Sequence, residues 1–367
     1  MRLLSRNIRG FDFVLFSAVF LLVIIGLSSI YSVGLSDPGT KMSFFYHQLI
    51  FFVIGLSVMS VFAFLDYRFL KAYYKVFLIL AILALFGVLI FSRAIRGSNA
   101  WFSLFGFQFQ PVEMAKIFLV IFLSAYLSRK AKEFYFSWKP VFISGIAAFS
   151  VMGLVLLQPD MGSALIIFAI WFFMILFTNM DKKKIMIMLF AMLLVLSMGW
   201  FGFLKDYQKE RVLTLFDPGK DPLGIGYNLT QAVTAVGSGQ FFGRGFGLGS
   251  QSQLNFLPEQ WTDFIFAVIS EEFGFIGAMI VVGLIFTILL RISNIIKNSN
   301  DNFAIFLALG FLIMFFVQSS MNILMNIGSA PVIGVPLPFV SYGGSSIIMC
   351  FMAIGILESI LLHKAEY

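Results

Sequence analysis

The sequence predicts an all-α polytopic integral membrane protein: one membrane domain over residues 1–367, ten transmembrane helices, and a large, partly helical extracytoplasmic loop over residues 205–263 between helices 7 and 8. Three observations carry this. Of 367 residues, 60% are hydrophobic and only 12% charged, about half the charged share of an ordinary soluble domain, so too few polar residues exist to cover a water-facing surface. Apolar runs long enough to cross a bilayer recur along the chain. The basic residues cluster on alternate connections between those runs.

The runs fall at residues 11–32, 44–64, 73–91, 112–127, 141–157, 161–178, 185–204, 264–290, 303–323 and 345–362. Gln158, Pro159 and Asp160 divide the fifth from the sixth, because proline breaks a helix and aspartate resists the bilayer centre. The first run follows Arg2, Arg6 and Arg9, as a signal peptide would, but its length exceeds a cleavable core of about 7–15 residues, so it reads as an uncleaved span. Ten spans put both termini on one side. With the N-terminus inside, sixteen Lys and Arg fall on inner segments and nine on outer ones, five of these in the 205–263 loop. The net charge of +7 is then a basic inner face against anionic lipid headgroups, and the bilayer rather than nucleic acid is the expected partner.

The long loop carries Phe216, Leu223, Tyr227, Phe241, Phe242, Phe246 and Leu248, too many apolar groups for a solvated tail, and is expected to fold back on the outer surface. Within it, residues 228–236 read as a short helix capped by Gly237. The glycines at 237, 239, 243, 245, 247 and 249 fit no nucleotide-binding spacing and read as tight turns. The later run 334–346 reads as rigid, non-helical backbone near the outer interface, tolerated there where it is buried or lines a cavity.

Cys350 is the only cysteine, and His47 and His363 the only histidines. Disulfides, thiolate metal clusters, zinc hydrolysis and a Ser-His-Asp triad are therefore not expected. Any acid–base chemistry falls to carboxylates, with Lys, Arg or a hard divalent cation supplying positive charge. Glu113 and Lys116 share a helix face at the start of the fourth span, where they can neutralise each other, wall a cavity open to the outside, or do both. Asp263 directly precedes the eighth span and reads either as its N-cap or as a functional carboxylate. Glu271 and Glu272 follow roughly 12 Å deeper at 1.5 Å per residue, a costly depth that calls for a polar interior or a helix–helix hydrogen bond. Arg211 is the best-placed outer guanidinium for an anion. Glu113, Lys116, Asp160, Arg211, Glu259 and Asp263 all map to the outer side, whereas a transporter needs polar groups near the midplane. The expectation is an enzyme acting at the outer face on a membrane-held substrate.

The motifs resemble those of the SEDS family (shape, elongation, division and sporulation), most closely its RodA branch. They are Trp101; Gln110-Pro111-Val112-Glu113 with Lys116; Gln158-Pro159-Asp160-Met161-Gly162-Ser163; Glu210-Arg211; Gly249-Ser250-Gln251-Ser252-Gln253-Leu254; Leu257-Pro258-Glu259; Thr262-Asp263; Glu271-Glu272; and Pro336-Leu337-Pro338 through Ser346. The resemblance implies a peptidoglycan glycosyltransferase polymerising lipid II outside the bacterial plasma membrane for cell elongation and rod shape. It implies Asp263 as general base and undecaprenyl pyrophosphate as leaving group. Trp101, Glu113, Lys116, Arg211 and Glu259 are the expected substrate-binding residues, and Mg²⁺ or Mn²⁺ a candidate cofactor. The implied partners are a class B penicillin-binding protein on the eighth and ninth spans and other elongation-complex proteins. A lipid II flippase and a non-catalytic scaffold for cell-wall enzymes are the alternatives. Three positions depart from the family pattern: Trp261 where His is common, Val112 where Ser is common, and Ala100 where Arg often precedes the tryptophan.

Overall fold

A computed structural model describes residues 10–36, 39, 41–92, 100–104, 107–131, 133, 137–198, 201–202, 206–221 and 224–363. Arg2, Arg6, Arg9, Arg93, Arg96, Lys132, Lys205 and Lys364 of the charge pattern, and Leu204 and Leu223, lie outside the described residues.

A helix stands at each of the ten predicted places. They are α1 (Phe13–Leu35), α2 (Met42–Phe64), α4 (Tyr74–Phe91), α5 (Pro111–Lys130), α6 (Lys139–Leu157), α7 (Met161–Leu176), α8 (Lys182–Met198), α12 (Ile265–Asn298), α13 (Asn302–Asn326) and α14 (Gly344–Leu362), with a short α3 (Arg68–Ala72) between α2 and α4. Eight are long and apolar enough to cross a membrane. The exceptions are α7, of 16 residues, and α8, of 17 with three lysines in its first turn. Their starts have local causes. Asp12 accepts hydrogen bonds from the amides of Val14 and Leu15, Asp160 from Ser163 and Asp301 from Phe303, and Pro111 opens α5 where its missing N–H costs nothing. The all-α expectation needs one amendment. Strands β1 (Phe102–Leu104) and β2 (Phe107–Phe109) form an antiparallel hairpin against α14.

Burial separates the centre of the bundle from its rim. In α5 and α14, 83% of the apolar window is buried in protein, against 22% in α4 and α12. Asp12 fixes the relative direction of the chain ends: its amide donates to Glu358 Oε2 (3.0 Å) and its carboxylate accepts from Arg291 Nε (2.7 Å). The start of α1 and the end of α14 therefore meet at one end of the bundle, as an even number of crossings requires.

The long loop holds α9 (Asp206–Phe216), α10 (Ile225–Ser238) and α11 (Ser250–Gln253) and packs through α10 onto α12 and α13. Helix α10 is longer than expected and is capped by Gly239, with Gly237 still inside it. The glycine turns that follow serve a break in α12. At Gly274 (φ 68°, ψ −162°) that helix is interrupted, which orphans backbone groups on both sides. The loop satisfies them: the amides of Arg244 and Gly245 donate to the carbonyls of Glu271 and Glu272, while those of Phe275 and Ile276 donate to Gln240 and Phe241. Residues 275–298 alone measure about 36 Å, enough to cross a core of about 30 Å. Glu271 and Glu272 are fully buried in protein, with the hydrogen-bonded surroundings that the sequence called for. The Glu271 carboxylate accepts the amides of Gln251 (2.8 Å) and Ser252 (3.1 Å), and Glu272 accepts from the Ser32 hydroxyl of α1.

Backbone must pass close to backbone in this clasp. A Cβ on Gly243, which lies at φ +84°, would sit 2.1 Å from the carbonyl oxygen of Glu272, whereas one on Gly237 would meet nothing within 4 Å. Gly243→Ala should lower the thermal midpoint in detergent by about 5 °C or more, and Gly237→Ala should leave it unchanged or slightly raised.

Candidate active site

Asp263 lies in the turn leading into α12, directly before the N-cap position. Phe264 holds the N-cap position and its side chain makes no capping hydrogen bond. The third amide of the helix, on Ala267, donates instead to Asn326 Oδ1 of α13 at 3.0 Å.

The turn is held carbonyl by carbonyl. Trp261 O accepts from the amide of Tyr342 (2.8 Å), and Thr262 O accepts from Ser341 Oγ (2.6 Å). Asp263 O accepts from both Asn322 Nδ2 (2.9 Å) and Asn326 Nδ2 (3.0 Å). Asn322 Nδ2 also donates to Val335 O at 2.7 Å, tying the turn to the rigid 334–342 segment. Gly334 lies beside the carboxylate: at φ +68°, its Cβ would fall 3.3 Å from Asp263 Oδ2. Glu259 shares the turn, accepting from the Thr262 hydroxyl at its carbonyl (3.2 Å) and at Oε2 (3.4 Å).

Glu113 and Lys116 form a buried pair with Oε1–Nζ 2.9 Å and side chains 5% and 2% exposed. Lys116 Nζ also donates to Gln318 Oε1 (3.1 Å), and Gln318 Nε2 donates to Pro336 O (3.0 Å). Mutual neutralisation is thus what the geometry shows, and the pair reaches the turn indirectly: Gln318 holds Pro336, Asn322 holds Val335, and Asn322 holds Asp263. Sequence reading missed Gln318, Asn322 and Asn326. Their spacing of four puts them on one face of α13, and three carboxamides in an apolar span were a signal available in the sequence.

The other expected residues stand apart from this hydrogen-bond chain. Trp101 is half-buried directly before β1. Arg211 is half-buried on α9, and its Nε is buried with no hydrogen-bond partner among the described residues. Asp160 caps α7 and accepts from Gln110 Nε2 (3.2 Å); burial pushes its carboxyl above the usual carboxylate range. Burial likewise raises the Tyr342 phenol. The departures from the family pattern have structural roles. Trp261 stacks on Phe44 with ring centres 4.8 Å apart and lies under Lys41 Nζ at 5.8 Å, while Val112 and Ala100 are buried. Among the described residues no three His, Cys, Asp or Glu side chains cluster as metal ligands.

Fold and site together define a multi-pass helical membrane protein in which hydrogen bonds link the Asp263 turn, the 334–342 segment and the Glu113–Lys116 pair. A family model described as a cell cycle protein of the FtsW, RodA and SpoVE type matches residues 11–366, and the chain belongs to that family. It is 36% identical over 320 residues to the probable peptidoglycan glycosyltransferase FtsW of Acinetobacter baylyi, covering 85% of this chain and 79% of the relative. It is 35% identical over 311 residues to the peptidoglycan glycosyltransferase MrdB of Escherichia coli K12, covering 85% and 84%. A chain from a solved peptidoglycan synthase complex, described as coordinating polymerization and crosslinking, matches with a TM-score of 0.83 at 28% identity over 97% of this chain and 99% of that one. RodA of Thermus thermophilus shares the fold, with a TM-score of 0.70 at 24% identity over 97% and 98%.

Proposed function

We propose that this protein is a peptidoglycan glycosyltransferase that joins lipid II units into β-1,4-linked glycan at the outer face of the bacterial plasma membrane, in the service of elongation and rod shape. The observation that carries the reading is the Asp263 turn, whose main-chain carbonyl is held by Asn322 and Asn326 beside the 334–336 segment. The ten-span topology, with both termini cytoplasmic, is part of the same proposal, as is the extracytoplasmic placement of the 205–263 loop.

In the reaction, the acceptor 4-hydroxyl oxygen attacks the anomeric carbon of the α-linked donor. The bond from that carbon to the phosphate oxygen breaks, and undecaprenyl pyrophosphate leaves with the electron pair. Asp263 takes the hydroxyl proton, a contribution of typically 10²–10⁴ in rate, and attack from the opposite face gives the β linkage. So good a leaving group needs positive charge rather than a general acid. Arg211 is the favoured residue for it, since its Nε has no described partner while Lys116 is engaged by Glu113 and Gln318. Lys116 and Glu113 then act by fixing the wall behind the 334–342 segment, and Trp101 flanks the substrate from the hairpin side. A divalent cation, Mg²⁺ or Mn²⁺, fits this donor set only together with substrate, because Mg²⁺ is commonly held by one or two carboxylates plus phosphate oxygens. Glu259 is the carboxylate proposed to hold it, where it would add positive charge at the pyrophosphate. A class B penicillin-binding protein on α12 and α13 is the proposed crosslinking partner within a larger elongation complex, in keeping with the polymerization and crosslinking described for the similar complex.

Purified protein in detergent with labelled lipid II tests the proposal. Glycan polymer formed with no bilayer to cross, and stopped by EDTA, is the expected result. No polymer from protein that moves lipid II across vesicle membranes would point to the flippase, and neither activity to the scaffold.

A further inference from the structure

We propose that Asn322 and Asn326 are positioning residues for the Asp263 carboxylate, holding its main chain at one height and rotation against the 334–336 segment. The inference rests on Asp263 as the base and adds how the base is held. Both asparagines are fully buried, where a carboxamide has to find partners for each polar atom. Their partners all belong to the site. Asn322 Nδ2 gives one N–H to Asp263 O and the other to Val335 O. Asn326 Nδ2 donates to Asp263 O and to Asn322 O (2.8 Å), and its Oδ1 accepts from Ala267 N. The last bond fixes which end of the Asn326 amide faces the helix and so directs its nitrogen at Asp263.

The arrangement is more than a structural tie. In an ordinary helix start the carbonyl before the N-cap meets solvent, and the rotation of that peptide is free to drift. Here the Asp263 peptide is locked by two donors, and one of them simultaneously locks Val335, the neighbour of the glycine that abuts the carboxylate. Asn322 therefore sets the distance between the base and its floor. A base displaced by about 1 Å loses about 10²-fold in rate.

Asn322→Leu keeps the branched shape and heavy-atom count of the side chain and removes both donors. Its kcat for lipid II polymerisation should fall about 10²-fold with KM changed less than about 2-fold. In an Asp263→Asn background, followed by polymer accumulation over long incubation, the same change should cause no further loss, because a positioning residue has nothing left to position. Asn322→Ser, which keeps one donor, should recover part of kcat, and it takes the place of Asn322→Leu if that variant does not fold. Unchanged kcat in Asn322→Leu, or an equal loss with and without the Asp263 carboxylate, would overturn the inference. Polymerisation at the normal rate by Asp263→Asn alone would instead overturn the assignment of the base, and so separates the two failures.

Discussion

Asp263→Asn is expected to slow lipid II polymerisation by about 10²–10⁴-fold while leaving the thermal midpoint within about 2 °C of the parent. The two halves of that expectation have separate causes. Asparagine keeps the size of the side chain and removes the proton acceptor, so the attacking hydroxyl must shed its proton to water. Stability should change little because the turn is held through its main chain: the carbonyl at position 263, which any residue would present, is bonded by Asn322 and Asn326, and Ala267 N donates to Asn326. Measured side by side on purified protein, a large rate loss with a preserved melting curve assigns Asp263 to chemistry. A midpoint that falls together with the rate would return it to the role of a structural cap.

Lys116→Met should have the reverse signature, a collapse in stability. The substitution strands the Glu113 carboxylate in a site where it is 4% exposed, and removing one partner of a buried ion pair costs about 3–5 kcal/mol. For a chain of this size that corresponds to a drop of about 4–6 °C in the thermal midpoint. The pair itself is not intrinsically stabilising, because desolvation of both charges offsets their attraction. Combining Lys116→Met with Glu113→Gln should therefore recover more than half of the lost stability, since no unpaired charge remains. If the double variant melts as low as the single one, the lysine stem and its bond to Gln318 matter more than its charge. Activity need not follow stability in the double variant, because Gln318 then loses the ammonium that orients it toward Pro336.

The helical segments were legible because hydrophobicity is a local signal: a helix stands at each predicted run, although the eighth extends eight residues past its expected end and the end of the 185–204 run lies partly outside the described residues. The break at Gly274 was not, since Phe273-Gly274-Phe275-Ile276 reads as continuous apolar sequence and the partners of the broken turn lie about 30 residues upstream. The 102–109 hairpin could have been read, because Phe102 and Leu104, then Phe107 and Phe109, alternate with Ser103 and Gln108 at the period of a strand. Asp263 shows the limit most clearly. Position alone favours a cap, and the bonds that Asn322 and Asn326 make to this turn from 59 and 63 residues away are invisible at that level. Motif resemblance pointed to the aspartate; the structure adds how its main chain is held.

The order in which the chain is made bears on when the site exists. Asp263 leaves the ribosome well before the residues that hold it, with Asn322 and Asn326 following 59 and 63 positions later and Ser341 later still. At about 5–20 residues per second, roughly 4–16 s separate synthesis of the aspartate from synthesis of its last clamp. Through that interval the carbonyls at 261–263 lack their final partners, and a chain cut short before α13 carries the carboxylate without the machinery that aims it. On the proposed function, synthesis order would therefore act as a timer: a nascent or truncated copy would hold Asp263 without its clamps, and competence would arrive only when the last two helices have packed.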